Sequence, residues 1–142
     1  MTSTPAPRPQ GRYQAAARHR EIAISAGMTP REDGVLAGTG AITADLTDAQ
    51  VQRLFEIACG NALAAINGVC SPDEHIESVL QMVVYVKYEH HGRSLPAVAD
   101  FGVRALETML QTPFTGVRTT VGVESLPGDA PLEVQVTAVV AP

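Results

Sequence analysis

Two kinds of apolar spacing divide this chain. Val51, Leu54, Phe55, Ala58, Ala62, Leu63 and Ile66 recur at helical spacing and form one stripe. Thr47 and Gln50 make a capping-box pattern just before it, and Gly68 stands where a helix stop is expected. Val98, Phe101, Ala105, Leu106, Met109 and Leu110 form a second stripe, which opens at Pro96, a residue suited to a first helical turn, and is closed by Pro113. Between the stripes, "SVLQMVVYVKY" at 78–88 is β-branched and aromatic and predicts a strand. Its residues alternate: Leu80, Met82, Val84 and Val86 share one face, and Val79, Gln81, Val83 and Tyr85 share the other. Strand spacing returns at 117–123 and 132–140, where Leu132, Val134, Val136, Ala138 and Val140 lie opposite Glu133, Gln135, Thr137 and Val139. Near the start, "YQAAARHR" and "EIAISAGMT" predict two strands joined by a tight turn near His19, and "DGVLAGTG" carries an Asp-Gly turn before a short strand.

The order ββ(β)–α–β–α–ββ predicts an α+β fold, with one sheet covered on one face by two helices. The other face of the long strands is too apolar for water, and two helices cannot cover both sides. The plain alternative is a modestly hydrophobic exposed face; the favoured expectation is that other subunits cover it, in an oligomer whose sheets face inward. Residues 1–11 are rich in Pro, Ser and Thr and are expected to form a disordered tail, leaving 12–142 as a single domain.

Composition narrows the function. The apolar share of 45% supports an ordinary core, and the formal charge of −5 offers no basic field for phosphate. Nucleic-acid binding is therefore disfavoured. No apolar run approaches a membrane span, and the opening lacks the apolar core of a signal peptide. Two cysteines make no disulfide framework, so a reduced cytoplasm is the expected compartment, with Cys59 a small core residue. No metal is expected: His90 and His91 beside Glu89, or His75 with Glu77, are too few ligands. "GTG" at 38–40 lacks the context of a nucleotide fingerprint and predicts a turn. Asp100, Arg104 and Glu107 are expected on a solvated helix face.

The candidate chemistry lies in "GVRTTVGVESLPGDAPLEVQVTAVV", where single charges, Arg118 and Glu133, sit inside apolar strands. A hairpin across 124–131 would set Glu133 opposite Gly122, with Arg118 roughly 13 Å further along. Strand alternation with Thr119, Val121 and Val123 toward the helices would turn both charges to the open face, with Thr120 and Gly122 leaving room between them. A guanidinium offers two parallel N–H bonds to a carboxylate, and a nearby carboxylate can hold or activate a water. The plain alternative is an Arg–Glu salt bridge between subunits.

These residues resemble the YjgF/RidA family, also labelled endoribonuclease L-PSP. The carriers are Arg118, "TTVGVES", Leu126-Pro127, "GDAPL" and Glu133, with Tyr13, "IAISAGMTP" containing Gly27, and "ACGNALAAI" in the first helix. The resemblance covers about 13–140. It implies a chorismate-mutase-like α+β fold and a homotrimer whose sheets form an inner barrel, with ligand clefts between subunits. It implies 2-iminobutanoate/2-iminopropanoate-type deaminase activity, turning reactive enamine or imine acids into 2-oxo acids and ammonia without a cofactor. Arg118 would then grip the substrate carboxylate and Glu133 would position the attacking water. Tyr13, Gly27 and Thr120 would complete the substrate contacts. The chain departs from the family pattern in Ala26 before Gly27, in Thr120 where a Cys is common, and in lacking an Asn on the second helix, as in a divergent subfamily. The alternative is a non-catalytic trimeric binding or regulatory protein for small carboxylate metabolites. A ribonuclease is opposed by the acidic charge. A chorismate mutase proper would want more cations than Arg118.

Overall fold

The computed structural model describes residues 5–90 and 92–142. Of residues 1–11, expected to form a tail, 1–4 lie outside the described residues; 5–11 carry no helix or strand, and Ala6 packs against the core. His91 also lies outside the described residues.

The chain runs β1 (Ala16–His19), β2 (Ile22–Ser25), β3 (Arg31–Glu32), β4 (Val35–Leu36), α1 (Asp48–Asn67), β5 (His75–Lys87), α2 (Leu95–Leu110), β6 (Val117–Val123) and β7 (Leu132–Ala141). The main sheet has the order β1-β2-β7-β5-β6, and β3-β4 form a separate small hairpin. Only β5 and β6 are parallel; the other neighbours are antiparallel. Both helices pack on one face. This is the α+β architecture that the periodicities predict.

Local chemistry explains the elements. The Thr47 hydroxyl accepts from Gln50 N at 3.1 Å, and the Gln50 side chain accepts from Thr47 N at 2.8 Å, closing the capping box of α1. All seven residues of the predicted α1 stripe are buried. Ser94 caps α2, with Pro96 in its first turn, and Gln111 ends it in the left-handed region at φ 54°. Asp33 and Gly34, at φ 53° and 80°, make the β3–β4 turn, as an Asp-Gly pair does in a type I′ hairpin. The buried faces of β5 and β7 meet α1 and α2 around Phe55, Met82, Leu106, Leu132, Val134 and Val136. A Cβ at Gly102 would fall 2.6 Å from Met82 Cε and 2.9 Å from Phe55 Cδ1, so only glycine lets α2 approach this closely. Cys59 is fully buried, as expected, and burial pushes its thiol well up.

Two expectations are overturned. β6 and β7 do not form a hairpin: β6 pairs with β5 at the sheet edge, and β7 lies on the other flank of β5. The cause is the β5–α2–β6 crossover, which requires parallel strands and spends β6 at the edge. The 124–131 connection must then cross the end of β5. It is pinned there by the Lys87–Asp129 ion pair and by Lys87 N donating to Pro131 O at 2.9 Å. Second, Leu80 does not share the buried face of Met82. The register shift between Val79 and Gln81 buries Val79 and leaves Leu80 43% exposed.

One ion pair ties β1 to the start of β5. Arg18 grips Glu74 through two bonds of 2.6 and 2.7 Å and also donates to Val69 O. Its guanidinium, with the Ser71 backbone, holds the Glu74 carboxyl down to about 2, from an ordinary 4.5. A depressed carboxylate contributes stability that is present above its unfolded value and lost as pH falls. Wild type should therefore lose its advantage over Glu74→Gln as pH drops from 4.5 toward 2, read from urea midpoints. A difference that stays constant across that range would contradict this.

Candidate functional site

Glu133 is the second residue of β7 and stands opposite Tyr85, on the side of the sheet away from the helices. Its neighbours Leu132 and Val134 are fully buried in the core, so alternation turns Glu133 outward. β2 ends at Ser25, but the chain stays beside β7: Met28 and Val134 exchange backbone hydrogen bonds, both 2.8 Å long. That bridge sets Gly27 against Glu133. A Cβ on Gly27 would lie 2.7 Å from Glu133 Cδ, so the glycine makes room for the carboxyl group. Tyr13, Gly27 and Glu133 line one cavity of about 280 Å³, with Met28, Thr29, Arg31 and Pro127. Tyr13 is 53% exposed at its mouth.

Among the described residues the Glu133 carboxyl makes no hydrogen bond or ion pair. Half-burial without a partner pushes it above the usual carboxylate range. Such a group can orient a water and exchange a proton with it. Ser25, one residue before Ala26, is committed elsewhere: its hydroxyl is buried and accepts from Val136 N at 3.0 Å.

Arg118 faces the other way, which corrects the expectation that both charges share the open face. It stands beside Met82 in the parallel β5–β6 ladder, Thr120 beside Val84, and Gly122 beside Val86, all on the helix side. Arg118 Nη1 bonds Asp100 Oδ1 on α2 at 2.6 Å, and Nη2 donates to Pro96 O at 3.4 Å. Thr119 and Val121 take the open face, where Val121 is 39% exposed. Thr120 accompanies Arg118, not Glu133. Two strand spacings and a three-residue offset separate Arg118 from Glu133 by about 14 Å at the backbone. One chain therefore joins Tyr13, Gly27 and Glu133 but leaves Arg118 and Thr120 at the opposite sheet edge.

Two residues of interest escaped the sequence reading. Asp100 is not merely solvated: it is the counter-charge of Arg118. Its neighbours on α2 also have tasks, since Arg104 stacks 4.5 Å over the Phe101 ring and the Glu107 carboxylate accepts from Phe114 N at 3.0 Å. Arg31 reaches the Glu133 cavity from β3. The only signal for it was its place right after "SAGMTP".

No protein-family model and no curated protein matches the sequence. Solved structures do. A candidate endoribonuclease from Shewanella oneidensis MR-1 aligns with TM-score 0.83 at 17% identity, over 98% of this chain and 92% of that one. The protein Atu1372 of Agrobacterium tumefaciens, described as of unknown function, aligns with TM-score 0.77 at 26% identity, over 92% and 82%. The YjgF gene product of Escherichia coli aligns with TM-score 0.64 at 24% identity, over 94% and 92%. The chain thus has the YjgF/RidA fold, in agreement with the resemblance read from its residues. Among the described residues no helix is long and apolar enough to cross a membrane.

Proposed function

We propose that this chain, with the fold of the YjgF/RidA proteins, is a cofactor-independent deaminase of small enamine and imine acids, acting as a homotrimer. The observation that carries the reading is the unpartnered Glu133 carboxyl set against Gly27 and Tyr13 in one cavity. Arg118 joins them only from a second subunit, because in one chain it lies at the far sheet edge. The open sheet face supports self-association: Ile24, Leu80, Val117 and Val121 are 42, 43, 66 and 39% exposed there. Packing three such faces into an inner barrel would bury them.

In the proposed reaction Arg118 holds the substrate carboxylate through paired N–H groups. An enamine such as 2-aminoacrylate first takes a proton on its terminal carbon to become the imine. Water, oriented by Glu133, then adds to the imine carbon, forming the C–O bond. One proton of the water passes to nitrogen, giving a carbinolamine; the hydroxyl proton then follows to nitrogen as the C–N bond breaks, so that ammonia leaves and the C=O of a 2-oxo acid forms. The imine carbon is already electrophilic, so orientation and one carboxylate suffice as catalytic demands.

A second reading has its own observation. Arg118 is already paired with Asp100, and Ala26 and Thr120 stand where deaminating relatives carry Ser and Cys. A binding or regulatory protein for carboxylate metabolites would tolerate these changes. The test couples a serine dehydratase to the protein and follows the 2-aminoacrylate/iminopropionate intermediate. Faster loss with wild type supports the deaminase. Unchanged loss together with saturable binding of 2-oxobutyrate would move the assignment to the binding protein.

A further inference from the structure

The cavity of Glu133 carries a second cation that the proposed reaction leaves unused. Arg31 opens β3, and its side chain lines the cavity together with Glu133, Gly27 and Tyr13. Its backbone is fixed from α1: the Asn61 amide donates to Arg31 O at 2.8 Å and to Thr29 O at 3.1 Å. The guanidinium is held by neutral oxygens. Nη1 donates to Gly34 O at 2.9 Å, and with the Gln10 amide assigned the orientation that satisfies both groups, its oxygen accepts from Nε at 3.0 Å and from Nη2 at 3.1 Å. These acceptors use three of its five N–H groups and leave one on each terminal nitrogen. Among the described residues Arg31 makes no ion pair, and the adjacent Glu32 is engaged with Arg53 at 3.0 Å. The guanidinium is therefore held in place without an ion pair, at the wall of a cavity it shares with the Glu133 carboxyl. Arg8 lines the same cavity and adds to its positive side.

We propose that Arg31 binds a second carboxylate, so that this site takes dicarboxylic 2-imino or 2-oxo acids in preference to monocarboxylic ones. The proposal rests on the reading of the cavity as a substrate cleft. Arg118 of a neighbouring subunit holds the carboxylate next to the reacting carbon, and Arg31 holds the one at the end of the side chain. A planar fork with free N–H groups suits a carboxylate, and neutral partners leave its full charge for the ligand. The cavity of about 280 Å³ accommodates a short diacid.

The test compares iminosuccinate, released by an aspartate oxidase, with iminopropionate, released from alanine by an amino-acid oxidase. Wild type should show kcat/KM at least about 10-fold higher for iminosuccinate. Arg31→Ala should lose most of that preference, with iminopropionate turnover within about threefold of wild type, and Arg31→Lys should recover part of it. Equal use of the two imines by wild type, or an Arg31→Ala variant that keeps the preference, overturns the inference while leaving the deaminase reading intact. If neither imine is turned over, titration decides. Binding of 2-oxoglutarate that is tighter than that of 2-oxobutyrate and is lost in Arg31→Ala sustains the diacid site in a binding protein. Equal affinities, or no binding of either, overturn it.

Discussion

Replacing Arg118 with alanine is expected to lower kcat/KM for iminopropionate by on the order of a hundredfold or more, since a substrate carboxylate would lose its charge-assisted partner. The fold should barely notice. Arg118 lies on an edge strand, and its Asp100 partner is 60% exposed, so the lost pair is worth less than about 1 kcal/mol. Asp100→Asn gives the complementary result. Freed of its counter-charge, Arg118 should bind 2-oxobutyrate at least as tightly as before. A thermal midpoint that collapses in Arg118→Ala would make the arginine structural, and unchanged turnover in a well-folded variant would remove it from the site.

The second large effect is expected at Gly27. Its backbone angles lie outside the left-handed region, so alanine is conformationally acceptable there. The obstacle is local: the new methyl would press on the Glu133 carboxyl at 2.7 Å. That carboxyl is the free end of a flexible side chain and can move aside, so stability should change little. Its displacement should cost roughly 10- to 100-fold in turnover, because the water it orients would be misplaced. Gly27→Ala with normal activity and normal stability would show that the position of the Glu133 carboxyl does not matter.

Much of this architecture was legible in the residues, and the failures have physical reasons. The stripes of α1 and the alternation of β7 were readable because each has one strongly apolar face and one mixed face. β6 was not, because "VRTTVGV" has no fully apolar face: alternation gives two sets of residues but not which one meets the helices. Its neighbour decided that, since the parallel ladder sets Arg118 beside buried Met82. The hairpin expectation treated sequential strands as spatial neighbours. The β5–α2–β6 crossover, visible in the element order, argues for parallel pairing instead. Leu80 was misplaced by a bulge that leaves no signature in an unbroken run of strand formers. In the site, Glu133 stood out as a lone charge in an apolar strand and Tyr13 and Gly27 through motif order, and the three line one cavity. Asp100 and Arg31 were missed because their partners, Arg118 on β6 and Gln10 in the N-terminal segment, are remote in sequence.

The central claim is that the site is shared between subunits, with Arg118 from one and Glu133, Gly27 and Tyr13 from another. Mixing tests it most directly. Arg118→Ala and Glu133→Ala, each inactive alone, are co-expressed in equal amounts, and the mixed trimers are assayed for iminopropionate hydrolysis. Random assembly should pair an intact Arg118 with an intact Glu133 at about one quarter of the interfaces, restoring about that share of wild-type activity. Mixed assemblies as inactive as the separate variants, or a wild type that is a monomer in solution, would contradict the shared site.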